Sequence, residues 1–412
     1  MNTKWLGLLT CFAVAACGAK APSTTGGFQL QPGAAACAQG YVLADSDFTS
    51  TNISALSPTG AVLSASLISS GSAPPGLTTA LSGDVVFPSN APSSHQVVLI
   101  DRYPNSVLTW VEPSTGNVLR QLSVGTGFAA NPHDYLELSS SKAYVSRFES
   151  NAQAGAQDFD AGGDLLIIDQ DAGTITGRID LAQPDDGEFL PRADRVWRVG
   201  TEVWVLLQRF DADFKTAGDA RLVGIDPETD SVSWTLDVPG VAGCGGVALS
   251  PSGKALALAC SGVTSDVDAA NDSAPTLRSD LVLLDLAAHP PAITRRFQTA
   301  AQLGAPLGSS LSFATETRLV GVALGDVTAK RNDVAFTLDT SVGTPELLLD
   351  AGAAFALGDV RCAPGCTDLC FVADAQANEL HVWQVSGATL SEQPAVPGDT
   401  TIGLPPRTIG AL

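Results

Sequence analysis

The sequence predicts an all-β fold, and two observations carry that reading. One pattern of four short apolar runs, split by turns, returns seven times along the 412 residues. No stretch shows an amphipathic helical period, while 40 Gly and 25 Pro place turns at short intervals. Four short runs separated by turns read as a four-stranded antiparallel unit. Seven such units in series read as a seven-bladed β-propeller.

Residues 131–182 show the unit most plainly. Runs at 134–138 and 142–147 flank a polar turn. After an Asp/Gly-rich loop come residues 165–169, the turn Gln170-Asp171-Ala172-Gly173, and a fourth run at 174–181. Taking Leu56, Val111, Ile168, Ile225, Leu284, Leu338 and Trp383 as equivalent third-strand positions gives steps of 55, 57, 57, 59, 54 and 45 residues. Propeller blades run to roughly 40–50 residues, so these steps leave room for loop insertions. Second strands precede the landmarks at 41–45, 96–102, 143–148, 202–210, 255–260, 319–324 and 369–373. First strands fall at 84–88, 134–138, 195–199, 246–249, 310–313 and 359–361, one short of seven. The missing strand belongs to the first blade, and the C-terminal residues 407–412 can supply it. Pairing the chain ends in this way closes the ring and removes the exposed edges of the first and last blades. Two β-sandwiches are the competing arrangement, and a fixed period across the whole chain argues against them.

Residues 1–16 read as an export signal outside the fold. Lys4 provides the positive start, and residues 5–16 form a 12-residue apolar run, too short to cross a bilayer as a helix. Val14-Ala15-Ala16-Cys17 resembles the lipobox of bacterial lipoproteins. The resemblance implies cleavage before Cys17 and acyl chains such as palmitate on it; the alternative is an ordinary signal peptide with an incidental Cys17. Gly18 implies sorting to the outer membrane. Residues 17–36, rich in Gly, Ala, Pro, Ser and Thr, read as a flexible tether, which leaves 37–412 as one domain. The net charge of −21 argues against nucleic acid and anionic lipid as partners, so the membrane contact implied here is the lipid itself.

Six cysteines fall inside the domain, an even number that in an exported chain points to disulfides. The turn Ser250-Pro251-Ser252-Gly253 places Cys244 opposite Cys260. Cys362 and Cys370 flank a turn centred on Cys366, and this leaves Cys366 for Cys37, at the closing seam. A metal site is the alternative for Cys362, Cys366 and Cys370, but the spacing lacks the close Cys pair of common zinc sites.

Loops between second and third strands carry repeated carboxylates: Asp158, Asp160 and Asp164 in blade three, Asp211, Asp213 and Asp219 in blade four, and Asp266, Asp268 and Asp272 in blade five. Equivalent loops share one rim, and Ca²⁺, which takes six to eight oxygen ligands, is the cation such loops suit. The competing reading is a solvated acidic rim. An Arg–aromatic pair recurs at the ends of second strands, as Arg102-Tyr103, Arg147-Phe148 and Arg209-Phe210. Such an Arg either bridges to the acidic loop or faces the channel and binds an anionic ligand. Among the four His residues only His133, in Asn131-Pro132-His133-Asp134, has a functional setting. Catalytic signatures are absent: there is no Gly-x-Ser-x-Gly elbow and no Cys-x-x-Cys-His haem motif. Gly125-Thr126-Gly127 imitates part of a dinucleotide fingerprint with no helix after it, so the mechanism of that motif is missing.

The mature region is similar to the YVTN-type and quinoprotein-like seven-bladed propellers of bacterial envelopes. The residues that carry the likeness are Ala143-Tyr144-Val145-Ser146, Leu166-Ile167-Ile168-Asp169, Gly173-Thr174-Ile175, Asp226-Pro227-Glu228-Thr229 and Ser250-Pro251-Ser252-Gly253-Lys254. The likeness implies a fold, while functions in that group range from binding proteins to lactonases and cofactor-dependent dehydrogenases. The expectation is therefore a non-catalytic lipoprotein of the outer membrane that binds an envelope protein or a small ligand through the long-loop rim of blades three to five. The alternative is a periplasmic hydrolase or oxidoreductase with its site at the channel mouth near His133, Arg147 and Arg209.

Overall fold

The computed structural model describes residues 25–30, 37–183, 186–263 and 278–412. They form seven antiparallel sheets of four strands each. Blade one is 41–69 completed by 406–411, and blades two to seven are 85–123, 132–180, 193–238, 244–297, 307–350 and 357–397. First strands of neighbouring blades lie beside one another around the axis, and later strands follow outward in chain order. The ring closes as the repeat count requires. Tyr41–Ser46 pairs antiparallel with Pro406–Ala411, placing Leu43 opposite Ile409.

The core is a ring of seams rather than a single centre. Among the described residues, seven apolar clusters each straddle two adjacent blades. Val98, Leu108 and Trp110 of blade two meet Tyr135, Val145 and Leu166 of blade three. Leu369 and Phe371 of blade seven meet Tyr41, Leu43 and Ile409 of blade one. A blade covered on both faces needs apolar residues on both, so Tyr41–Ser46 and Leu369–Asp374 are buried at every position. The outermost strand Ser231–Val238 instead exposes alternate residues.

Polar latches reinforce the seams. At the start of third strands, Ser106 accepts the Ala130 N–H, Ser279 the Leu307 N–H and Asp333 the Leu357 N–H, each holding the start of the next blade. At the closing seam a Cβ on Gly358 would lie 2.0 Å from the Arg407 carbonyl oxygen. Only glycine lets those two first strands approach so closely.

Among the described residues three disulfides form, with the pairings the sequence suggests: Cys244–Cys260, Cys362–Cys370 and Cys37–Cys366. The first two join residues opposite each other in register. The third spans 329 residues and ties the N-terminal segment to the first turn of blade seven.

Two elements differ from the sequence reading. The first strand of blade two is only Val85–Val86, because Pro88 has no N–H to donate and the Ser89 N–H goes to the Asp134 carboxylate. Part of the expected tether is packed. The Gly26 N–H bonds the Ser66 carbonyl, the Phe28 N–H bonds the Pro113 carbonyl, and the Phe28 ring enters the seam between blades one and two. Burying that ring offsets the cost of ordering a short segment. Cys17 and the signal region lie outside the described residues.

Candidate ligand site at the channel mouth

All seven blades contribute to a cavity of ≈180 Å³ on the propeller axis, through Ser89, His133, Arg195, Val247, Ser309, Arg361 and Thr408 among others. Among the described residues its lining carries the guanidinium groups of Arg195, Arg361 and Arg102, the last already paired with Asp84, the imidazole of His133 and one carboxylate, Asp359. That is a local inversion in a chain with 43 acidic and 22 basic residues. Asp359 is engaged, accepting the Ile409 N–H. Arg361 spans three blades, donating to the carbonyls of Ser89 and Ile409.

Arg195 is different. Its Nε donates to the Gly245 carbonyl at 3.0 Å and lies 3.7 Å from the Asp194 carboxylate. Its two terminal nitrogens meet no hydrogen-bond acceptor among the described residues, and the side chain is 23% exposed. A guanidinium held at Nε in a cavity wall, with no acceptor among the described residues for its terminal nitrogens, is a donor pair for an anion.

His133 sits second in the first strand of blade three, Pro132–Ser139. Its Nδ1 is 2.8 Å from Asp194 Oδ1 across the blade seam. The imidazole stacks on Phe148 with centroids 4.2 Å apart and planes 9° apart. Burial pushes its pKa below the usual value, against the opposing pull of Asp194. The ring is therefore neutral near pH 7, with Nδ1–H donated to the carboxylate and the Nε2 lone pair unspent among the described residues. Burial pushes the Asp194 carboxyl up, but Arg195, His133 and Gln208 together hold it below the usual range. Behind them the buried Asp134 accepts the N–H groups of Ser89, Tyr135 and Val196, which locks blades two, three and four together. Burial raises its carboxyl despite Arg195 and those bonds.

The sequence-predicted residues divide between this mouth and the blades. His133 and Arg102 are at the channel, Arg102 paired with Asp84 there. Arg147 is wholly buried in blade three, where it bonds Asp164, Thr126 and the carbonyls of Val124 and Phe159, using every guanidinium nitrogen. Arg209 pairs with Asp186 and donates to the Asp219 carbonyl. Both arginines serve their own blade. Asp160 accepts the N–H groups of Gly155, Ala156 and Gln157, which hold its carboxyl below the usual range. Asp158 is exposed in the same loop. Asp164 is shared between Arg147 and Arg178. In blade four Asp211 accepts from Lys215 and Thr216, Asp213 pairs with Lys215, and Asp219 bonds Gly240 and Arg278. Asp266, Asp268 and Asp272 lie outside the described residues. Among the described residues no three His, Cys, Asp or Glu side chains converge as a metal site.

Arg195, Arg361 and Asp194 were not singled out by the sequence. Their available signal is charge inside first strands, in Asp194-Arg195 and Asp359-Val360-Arg361, where a buried innermost strand otherwise carries small or apolar residues.

No protein-family model matches the chain, and no curated protein matches it by sequence. Solved structures share its architecture. A periplasmic gluconolactonase of Pseudomonas aeruginosa superposes with a TM-score of 0.57 at 11% identity, over 90% of this chain and 98% of that one. A Lactobacillus plantarum protein gives 0.57 at 12%, over 90% and 99%. A candidate 6-phosphogluconolactonase of Bacteroides uniformis gives 0.55 at 13%, over 90% and 99%. At these identities the likeness establishes the seven-bladed β-propeller and nothing finer.

Proposed function

We propose that this protein is a non-catalytic binding protein of the bacterial envelope, anchored through lipid on Cys17, that holds a small anionic ligand in the channel mouth. The observation that carries the reading is Arg195: its terminal nitrogens have no acceptor among the described residues, and the residue lines a cavity with His133 and Arg361. A carboxylate or phosphate supplies the acceptors that Arg195 lacks. Three disulfides support an oxidising compartment outside the cytoplasm. The N-terminal segment supports the orientation. Residues 27–28 and Cys37 meet the fold at the turns of blades two and seven, at the blade ends opposite His133, so a lipid anchor leaves the mouth facing away from the bilayer.

A hydrolytic role is the second reading, favoured by the neutral His133 with Nδ1 fixed by Asp194. That arrangement leaves Nε2 as a base for activating water. Calorimetric titration with citrate and with inorganic phosphate, beside assays of ester and lactone hydrolysis, separates the two. The binding reading expects an anion isotherm and no turnover that depends on His133. Turnover lost in His133→Asn, with no anion isotherm in the wild type, replaces it with the hydrolytic one.

A further inference from the structure

We infer that a second site, for a neutral polyhydroxylated ligand of the saccharide class, lies between blades two and three on the rim beside the channel. A cavity of ≈470 Å³ opens there, lined by Asp84, Arg102, Tyr103, Asn131, Glu149 and Ser150. That volume falls in the range of small-molecule pockets.

The hydrogen-bonding state of the lining selects the ligand. Asp84 meets Arg102 through one oxygen only, Oδ1, which takes both guanidinium bonds. Glu149 likewise meets Arg192 through Oε2 alone. Each carboxylate is thus neutralised by its own arginine and keeps one oxygen, Asp84 Oδ2 and Glu149 Oε1, with no donor among the described residues. The side chains of Asn131 and Ser150 and the Tyr103 hydroxyl also make no hydrogen bond to the described residues. The cavity therefore offers several unspent acceptors, a few donors and no net charge to attract an ion. A charged ligand would lose hydration here without a counter-charge to offset it. Hydroxyl groups, each a donor and an acceptor, match the inventory.

The apolar part of the site points the same way. Tyr103 is 63% exposed at the cavity edge. A rigid aromatic side chain left mostly open to solvent is a platform for the C–H face of a pyranose ring, and its hydroxyl adds a polar handle. Arg102 lines both cavities, so the two sites are neighbours with opposite selectivity, one for an anion and one for a neutral polyol.

The test is titration of the full-length protein with maltose, cellobiose and N,N′-diacetylchitobiose, with n-butylammonium chloride as the cationic comparison. At least one disaccharide is expected to bind. Tyr103→Ala is expected to weaken that binding at least tenfold, Tyr103→Phe to keep it within about threefold, and Arg195→Ala to leave it unchanged. Because Tyr103 is exposed, its variants fold, as an unchanged unfolding midpoint would verify. The proposal is overturned if none of the three sugars binds, if n-butylammonium binds instead, or if Tyr103→Ala binds the sugar as well as the wild type.

Discussion

Arg147 and Asp164 form a wholly buried, two-pronged ion pair inside blade three, Nε to Oδ1 at 2.7 Å and Nη2 to Oδ2 at 2.7 Å. Removing one partner of such a pair strands the other charge in the core. Arg147→Ala is therefore expected to destabilise the fold by about 3–5 kcal/mol, with Arg178, which also reaches Asp164, softening the loss. Denaturant unfolding measures this. A loss under about 1 kcal/mol, or a loss of anion binding without one of stability, would place Arg147 in the ligand site instead.

Stability should also depend on Asp45 in an unusual direction. This residue lies buried in the second strand of blade one and accepts from Asn52 at 3.0 Å. Burial pushes its carboxyl up to about 7, with Asp399 adding to the effect and Asn52 and Ser54 opposing it. The unfolded chain releases that proton near pH 4, so between the two values the folded state holds more protons. Its contribution is full below pH 4 and is lost as pH rises towards 7, amounting to about 4 kcal/mol at most. Asp45→Asn should raise the unfolding midpoint at pH 8 and change it little at pH 4. An Asn variant less stable than wild type at pH 8 contradicts this account.

Ring closure rests on two separable devices. The strand Pro406–Ala411 completes blade one, and Cys37–Cys366 pins the segment that leads into it. Replacing both cysteines with serine is expected to cost about 2–5 kcal/mol and to leave a single cooperative transition. Deleting residues 406–412 removes Ile409 from the last seam and bares the edges of two sheets. Calorimetry on that deletion should show no cooperative transition; an intact one means the ring does not depend on its closing strand.

Much of the architecture was legible because it repeats. Leu56, Val111 and their five equivalents recur since every blade must fill the same seam, and the closing strand followed from one missing first strand. Disulfides followed from hairpin register, as with Cys244 opposite Cys260. The candidate site was legible only at His133 and Arg102, for the same reason inverted. Arg147 and Arg209 stood out because an Arg–aromatic pair repeats, yet repetition marks what each blade needs for itself, here an internal ion pair. A site on the axis takes one side chain from each of several blades, so Arg195, Arg361 and Asp194 share no motif or spacing. The packed position of Phe28 was hidden by its surroundings of small residues, where one aromatic side chain outweighs the composition.

The most direct test of the central claim is thermal unfolding of the wild type and of Arg195→Ala, each with and without saturating citrate. A ligand bound only by the folded state at 100 times its Kd stabilises by about 2.7 kcal/mol. The expected result is a rise in midpoint for the wild type that is lost in Arg195→Ala. An equal rise in both proteins, or none in either, would show that the channel mouth is not an anion site.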